Sequence, residues 1–232
     1  MLGELRQCIP ADHSRQVTWE YYLDLVLRKP EDIRRVMDLG CGAGDSLDCF
    51  RRRNAAVRWI GLDKEQSPEV EARTRKDGAF CVFDGARIPF PDGSFDLVYS
   101  RQVFEHVSDP HGLLKETSRV IRPGGYFIGS TSQMEPFHSY SLGNFTPYGF
   151  SLLLGEAGLE LAEVRPGIDA ITLIVRHGLG RPRFFARWFE RESPLNRLIG
   201  LAGRLKRWPP ERVNAWKLYF CGQFSFFAFK TR

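Results

Sequence analysis

Five times between Arg34 and Ser132 a short apolar run gives way to a turn or a helix-period stretch. "RRVMDLG" reads as a buried strand, "GDSLDCFRRRN" as a helix with Asp45 or Ser46 near its start, and "VRWIGLD" as a second strand. "PEVEARTRKDG" predicts a helix ending at Gly78, and "AFCVFDG" a third strand. "SFDLVYS" is the fourth, "HGLLKETSRVIRPGG" a helix closed by Pro-Gly-Gly, and "YFIGSTS" the fifth. Strands alternating with helices predict a doubly wound α/β sheet, mostly parallel. Further on, Thr146 caps a helix whose first residue is Pro147. "LELAEVRPG" reads as a sixth strand and "GQFSFFAFK", within about 222–230, as a seventh. An N-terminal helix is expected over about 14–29.

A chain of 232 residues suits one domain with a large core. Its five cysteines (Cys8, Cys41, Cys49, Cys81 and Cys221) contain no C-x-x-C pair. That pattern argues against a disulfide framework or a zinc site and suits a reducing compartment. The first residues carry charges and no apolar core, unlike a signal peptide, and no run approaches a membrane span. A cytoplasmic protein is the expectation.

Charge is unevenly placed. From Arg176 onward there are 13 Lys/Arg against three Glu, whereas the chain as a whole carries only +5. This quarter interleaves arginine with Phe, Trp and Leu and lies between the last two predicted strands. An insertion of that length is expected to be a cap, about 176–218, with its apolar face over a substrate and its arginines snorkelling outward. The same composition suits peripheral membrane contact. Nucleic acid is the weakest of the three partners, because no RNA-binding module signature accompanies the charge.

Ligands of open α/β sheets sit outside the carboxyl ends of the strands. There, "DLGCGAGD" sets Gly40, Gly42 and Gly44 at alternate positions, allowing a tight turn and close backbone approach. The third glycine comes one residue too soon for the dinucleotide fingerprint, and no G-K-[ST] follows. Asp63 ends the second strand, where a carboxylate can accept from a ribose diol. Asp84 ends the third, placed to receive an adenine amino group. Either acid alone reads equally well as a cap or a turn, Asp84-Gly85 being a turn dipeptide.

Together "VMDLGCGAG", "IGLDKE", "FDGARIPFPDGSFDLVYSRQVFEHVSDP" and "LLKETSRVIRPGGYFIGS" resemble the class I S-adenosylmethionine-dependent methyltransferases, in the branch with ubiquinone/menaquinone-biosynthesis-type domains. The similarity covers about residues 34 to 132. It implies a Rossmann-like seven-stranded sheet, a cofactor-binding core of about 33–175 and a single methyltransferase domain over 1–232. It implies S-adenosyl-L-methionine as cofactor, with Asp38, Gly40, Cys41, Gly42 and Gly44 around its amino-acid end. Asp63 would bind the ribose hydroxyls and Lys64 would sit against the adenine. Asp84, Gly85 and Ala86 would receive the adenine edge, and Ser100 and Arg101 would border the methionine moiety.

Methyl transfer from a sulfonium needs an acceptor held in line about 3 to 3.5 Å from the methyl carbon. A hydroxyl acceptor gains about 10² to 10⁴ in rate from a base. His106 and His138 are the candidates, with Glu105 or Tyr140 behind them. "MEPFHSYSLGNFTPYGF" follows the fifth strand and mixes aromatics with polar groups, as an acceptor pocket does, so His138, Tyr140, Asn144 and Tyr148 are the expected substrate contacts. Some ubiquinone-pathway and small-RNA 2′-O-methyltransferases carry E-x-x-E-H here. The matching residues are Gln102, Glu105 and His106, so one anionic ligand is missing and no metal is expected. The expected reaction is O-methylation of a small organic or sugar-containing acceptor in biosynthesis. The alternatives are metal-assisted RNA methylation and cofactor binding without catalysis.

Overall fold

The structure, a computed structural model, describes residues 3–28, 32–136 and 140–231. Seven strands form one sheet in the order β3-β2-β1-β4-β5-β7-β6. They are β1 (Arg35–Leu39), β2 (Arg58–Asp63), β3 (Ala79–Val82), β4 (Phe95–Arg101), β5 (Ile121–Ser132), β6 (Leu159–Pro166) and β7 (Gln223–Lys230). β1 to β5 pair in parallel, and β7 runs antiparallel between β5 and β6. The expected doubly wound, mostly parallel sheet is what forms.

Period-two alternation sends successive side chains to opposite faces. Val36, Leu97, Tyr99 and Ile128 pack with α1 (Glu20–Val26) and α2 (Ser46–Arg53). Met37, Leu39, Val98 and Phe127 pack with α4 (Pro110–Val120) and α5 (Pro147–Glu156). On this second face Phe127, Phe150 and Phe226 lie with ring centroids 4.9 Å apart across two of their contacts. Both faces are therefore covered, as a parallel sheet requires.

Three expected boundaries move, each for a tertiary reason. The first helix begins at Glu20 rather than near residue 14, because the backbone N–H groups of Gln16 and Val17 are drawn to Glu192 and to the Pro166 carbonyl. α3 spans only Pro68–Glu71 and stops short of Gly78. Past its end, Arg73 lays its guanidinium over Phe80 and bonds the Gly42 carbonyl, and Arg75 pairs with Asp48 on α2. α4 ends at Val120, and Pro123-Gly124-Gly125 falls inside β5. The Pro sits where the β4–β5 register shifts, a place where the sheet needs no donor from it.

The insertion between β6 and β7 is helical but starts earlier than residue 176, with α6 (Ala170–Gly178), α7 (Arg187–Glu190), α8 (Pro194–Leu205) and α9 (Pro210–Tyr219). It grips the N-terminal segment. Gln16 Oε1 accepts from Asn196 Nδ2 (2.7 Å) and Ser193 Oγ (3.0 Å), and Lys217 Nζ, buried, donates to Glu192 at 2.9 Å. Asn214 Nδ2 donates to the carbonyls of Pro10 and His13. No described helix is long and apolar enough to cross a membrane.

Candidate active site

β1 is flanked by β2 on one side and β4 on the other, so the chain reverses its winding between β1 and β4. A cleft of about 380 Å³ opens at this switch point, in the range of small-ligand sites. Gly40 and Gly42 form one wall, Asp63 and Lys64 a second, and Arg101, Gln102, Val103 and His106 a third.

The glycine turn is built from left-handed backbone. Gly40, Gly42 and Gly44 have φ of 74°, 49° and 85°. A Cβ on Gly40 would collide with Val103 of the opposite wall, which shows how closely the walls approach. Asp63 fixes the turn by accepting from Gly42 N at 2.6 Å and from Lys64 N at 2.8 Å. Each of its oxygens keeps a lone pair free for a ligand hydroxyl. Gly44 lies outside the cleft, against Phe80 and Arg75.

Asp38 lies on β1, two residues ahead of Gly40, and is 2% exposed. Its carboxylate accepts from Ser46 Oγ, which itself accepts from Trp59 Nε1 at 3.0 Å. Burial pushes this acid up to about 7. Cys41 belongs to the core beside Trp59, and burial raises its thiol strongly. Only its backbone is available to a ligand in the turn.

The structure places the other expected contacts in and around this cleft. Asp84 is exposed and does not line the cleft. Its Oδ1 accepts from Ala86 N and Arg87 N, both at 2.8 Å, which lowers its pKa and holds the carboxylate over its own turn. Asp84-Gly85 forms a turn in which Gly85 holds φ 85°. Gly85 lines the cleft but Ala86 does not. Ser100 is buried within the sheet, while Arg101 reaches the cleft. Tyr140 lines it and is 77% exposed. Asn144 instead ties its amide to the Glu135 carbonyl, and Tyr148 packs on the core. His138 lies outside the described residues. Among the described residues, none of 176–218 lines the cleft. Gln66, Ser67, Pro68 and Glu69, which the sequence reading passed over, do line it. Their signal is the Ser-Pro pair behind Asp63, where Ser67 Oγ caps α3 by accepting from Val70 N at 3.1 Å.

Glu105 and His106 do not share one space. His106 lines the cleft, whereas Glu105 is 1% exposed and turned toward β5. Its oxygens accept from Thr131 Oγ1 at 3.0 Å and Ser132 Oγ at 3.1 Å. With its amide oriented to satisfy both ends, Gln102 donates to Glu105 and to Ser132 at 2.8 Å each. Ser132 Oγ also bonds Glu135 at 2.8 Å. Gln102 holds φ +53°, a conformation costing about 1 kcal/mol or more that this network offsets. Among the described residues, no three His, Cys, Asp or Glu side chains gather as a metal site.

Residues 37–129 match the family model described as a methyltransferase domain. The chain carries a class I S-adenosylmethionine-dependent methyltransferase domain. It is similar to a "Probable S-adenosylmethionine-dependent methyltransferase" of Mycolicibacterium smegmatis, 32% identical over 66% of this chain and 60% of that protein. It is 34% identical to an uncharacterized methyltransferase of a Mycobacterium species, over 47% of this chain and 44% of the relative. The chain thus spans about half the length of these relatives. Solved structures share the fold. One is an S-adenosylmethionine-dependent methyltransferase of Mesorhizobium loti (TM-score 0.54, 18% identity, 89% of this chain and 96% of that one). Another is a Haemonchus contortus phosphoethanolamine N-methyltransferase in complex with S-adenosyl-L-methionine (TM-score 0.54, 19%, 91% and 53%).

The residues present fit that cofactor. The bare turn at Gly40 and Gly42, a buried carboxylate behind it and an acceptor-bearing Asp63 opposite suit an ammonium and a ribose diol, with no call for a phosphate cradle.

The methyltransferase domain hangs its next loop on the buried Glu105 knot. Leu142 N and Gly143 N donate to the Glu105 carbonyl, and Phe145 N to that of Ser132. Burial pushes the Glu105 carboxyl up to about 7, with Glu135 adding to the effect. The native chain therefore holds this proton more tightly than the unfolded chain. Its stabilising contribution is full below about pH 4.5 and is lost as pH rises through about 7, a loss of about 3 kcal/mol. Glu105→Gln is expected to flatten the profile of melting temperature across that window and to raise the melting temperature at pH 8 by several degrees. Thermal unfolding from pH 4.5 to 8 checks this; a profile parallel to the wild type would assign the titration elsewhere.

Proposed function

We propose that the protein methylates an oxygen of a small organic or sugar-containing acceptor within a biosynthetic sequence in the cytoplasm. The observation that carries this reading is that His106 and Tyr140 line the same cleft as Gly40, Gly42 and Asp63. S-adenosylmethionine, when bound, supplies a methyl group on an already activated sulfonium. The chain then needs to position an acceptor, exclude water and take one proton. His106 is the group we assign to the proton, and the exposed Tyr140 to the acceptor. The free thiols of all five cysteines support a reducing compartment.

Incubation with methyl-labelled S-adenosylmethionine and a fractionated extract tests the acceptor class. Label in a small-molecule or glycoconjugate fraction supports the reading; label in RNA or protein overturns it. With the acceptor in hand, His106→Ala is expected to lower kcat by about 10² or more at pH 7. Affinity for S-adenosylhomocysteine should stay within about twofold. An unchanged kcat would remove His106 as the base.

A further inference from the structure

Of the 16 exposed large apolar side chains among the described residues, 11 fall between Ile171 and Phe220. They are ordered, not scattered. On α6, Ile171, Ile174 and Val175 share the outer face at i, i+3 and i+4. On α8, Leu198, Leu201 and Leu205 form an outer stripe at i, i+3 and i+7, each more than half exposed. The buried residues of α8 are Asn196 and Gly203, so this helix turns its polar and small positions inward and its leucines out. That is the reverse of a helix that only serves its own core. α6 and α8 pack on each other, as do α8 and α9. α9 adds Trp216, stacked on Trp208 at 5.8 Å and partly exposed.

The charged groups around these stripes are mostly cationic, with Glu190 the exposed acid among them. Arg181, Arg183, Arg191, Arg204 and Arg207 are exposed, and none forms an ion pair with a described acid. Arg197 and Arg204 flank the α8 leucines on the same exposed side. We propose that the α6–α9 insertion docks the protein on an anionic phospholipid surface, with the α6 and α8 stripes entering the headgroup boundary and the arginines meeting lipid phosphates. Aliphatic stripes rimmed by snorkelling cations are what an interfacial helix presents. Nucleic acid is served by cations and stacking rings, and gives Leu198, Leu201 and Leu205 nothing to bury against. A second copy would set one set of unpaired cations against another. This inference stands apart from the methyl-transfer reading, since no residue of the insertion lines the cleft.

Vesicle flotation of the full chain tests it. Vesicles of phosphatidylcholine alone and with about a third phosphatidylglycerol would be compared at low and high salt. The expected result is recovery with the anionic vesicles, falling steeply with salt, and little with the neutral ones. A variant with Leu198→Ser, Leu201→Ser and Leu205→Ser should lose binding about tenfold or more. Independently, Arg183→Gln with Arg204→Gln should cost about fivefold in partition for each cation removed. Unchanged thermal unfolding and S-adenosylhomocysteine binding would show that both variants fold. Absence of vesicle binding overturns the proposal. So does equal recovery on neutral vesicles, displacement by RNA without vesicle recovery, or a dimer in sedimentation that the serine variant abolishes.

Discussion

Asp38→Asn is expected to weaken S-adenosylhomocysteine binding about 100-fold while raising the melting temperature of the ligand-free protein at pH 8. The two effects have one cause. Asp38 is buried with a hydroxyl as its hydrogen-bond partner, and that burial lifts its pKa from 3.8 to about 7. An acid whose native pKa is raised stabilises the fold fully below about pH 3.8 and loses that contribution as pH rises through about 7. Above pH 7 the ligand-free fold holds an ionised carboxylate at a cost of about 2–4 kcal/mol. With Asp38 as the acceptor for the cofactor's amino group, a ligand ammonium beside the glycine turn would recover that cost. Asparagine still accepts from Ser46 but carries no charge, so it removes both the cost and the recovery. The melting temperature should rise by about 5–10 °C. Wild-type affinity should increase between pH 5 and 8, while that of the variant stays flat. Calorimetric titration and thermal unfolding across that range decide it. A variant that binds normally and melts lower would make Asp38 a structural residue.

How far the sequence foretells these features depends on the range of the interactions that make them. The strands are legible because β-branched and aromatic runs, bounded by turn residues, set their own limits. The glycine turn is legible because only glycine adopts three left-handed angles so close together. Asp63 and Asp84 look alike as acids at strand ends. What separates them is where the following backbone N–H groups point: Gly42 N comes to Asp63 from another loop, whereas Ala86 N and Arg87 N fold back on Asp84. The start of the first helix and the place of the insertion rest on Gln16, Glu192, Ser193, Asn196 and Lys217, partners up to 180 residues apart. No local pattern marks such pairs. Glu105 and His106, adjacent in sequence, both read as candidates for the base, yet His106 of the short helical turn Phe104–His106 lines the cleft while Glu105 is buried against β5.

Gly129→Ala is expected to destabilise the protein strongly and lower its soluble yield, and Gly155→Ala to stabilise it. Gly129 sits in β5 with Ser100 of β4 as its register partner on one side and Phe226 of β7 on the other. A Cβ there would fall on the Ser100 carbonyl oxygen and come within 3.0 Å of the Phe226 ring. The obstructing atom is backbone, so no rotamer relieves the contact. Relief requires β4 and β5 to part at the centre of the sheet, at a cost on the order of 4 kcal/mol. That is a large share of the roughly 5–15 kcal/mol that holds such a domain together. The strand displaced is also the one that delivers Arg101, Gln102 and Val103 to the cleft, so any folded fraction should bind S-adenosylhomocysteine poorly. Gly155 is the opposite case. It lies in α5, exposed, with no atom within 4 Å of a built Cβ. Alanine there should add about 0.5–1 kcal/mol by restricting the unfolded chain. Soluble yield and urea unfolding of the two variants give opposite signs for one methyl group. A folded, cofactor-binding Gly129→Ala protein would mean that β4 and β5 approach less closely than their register implies.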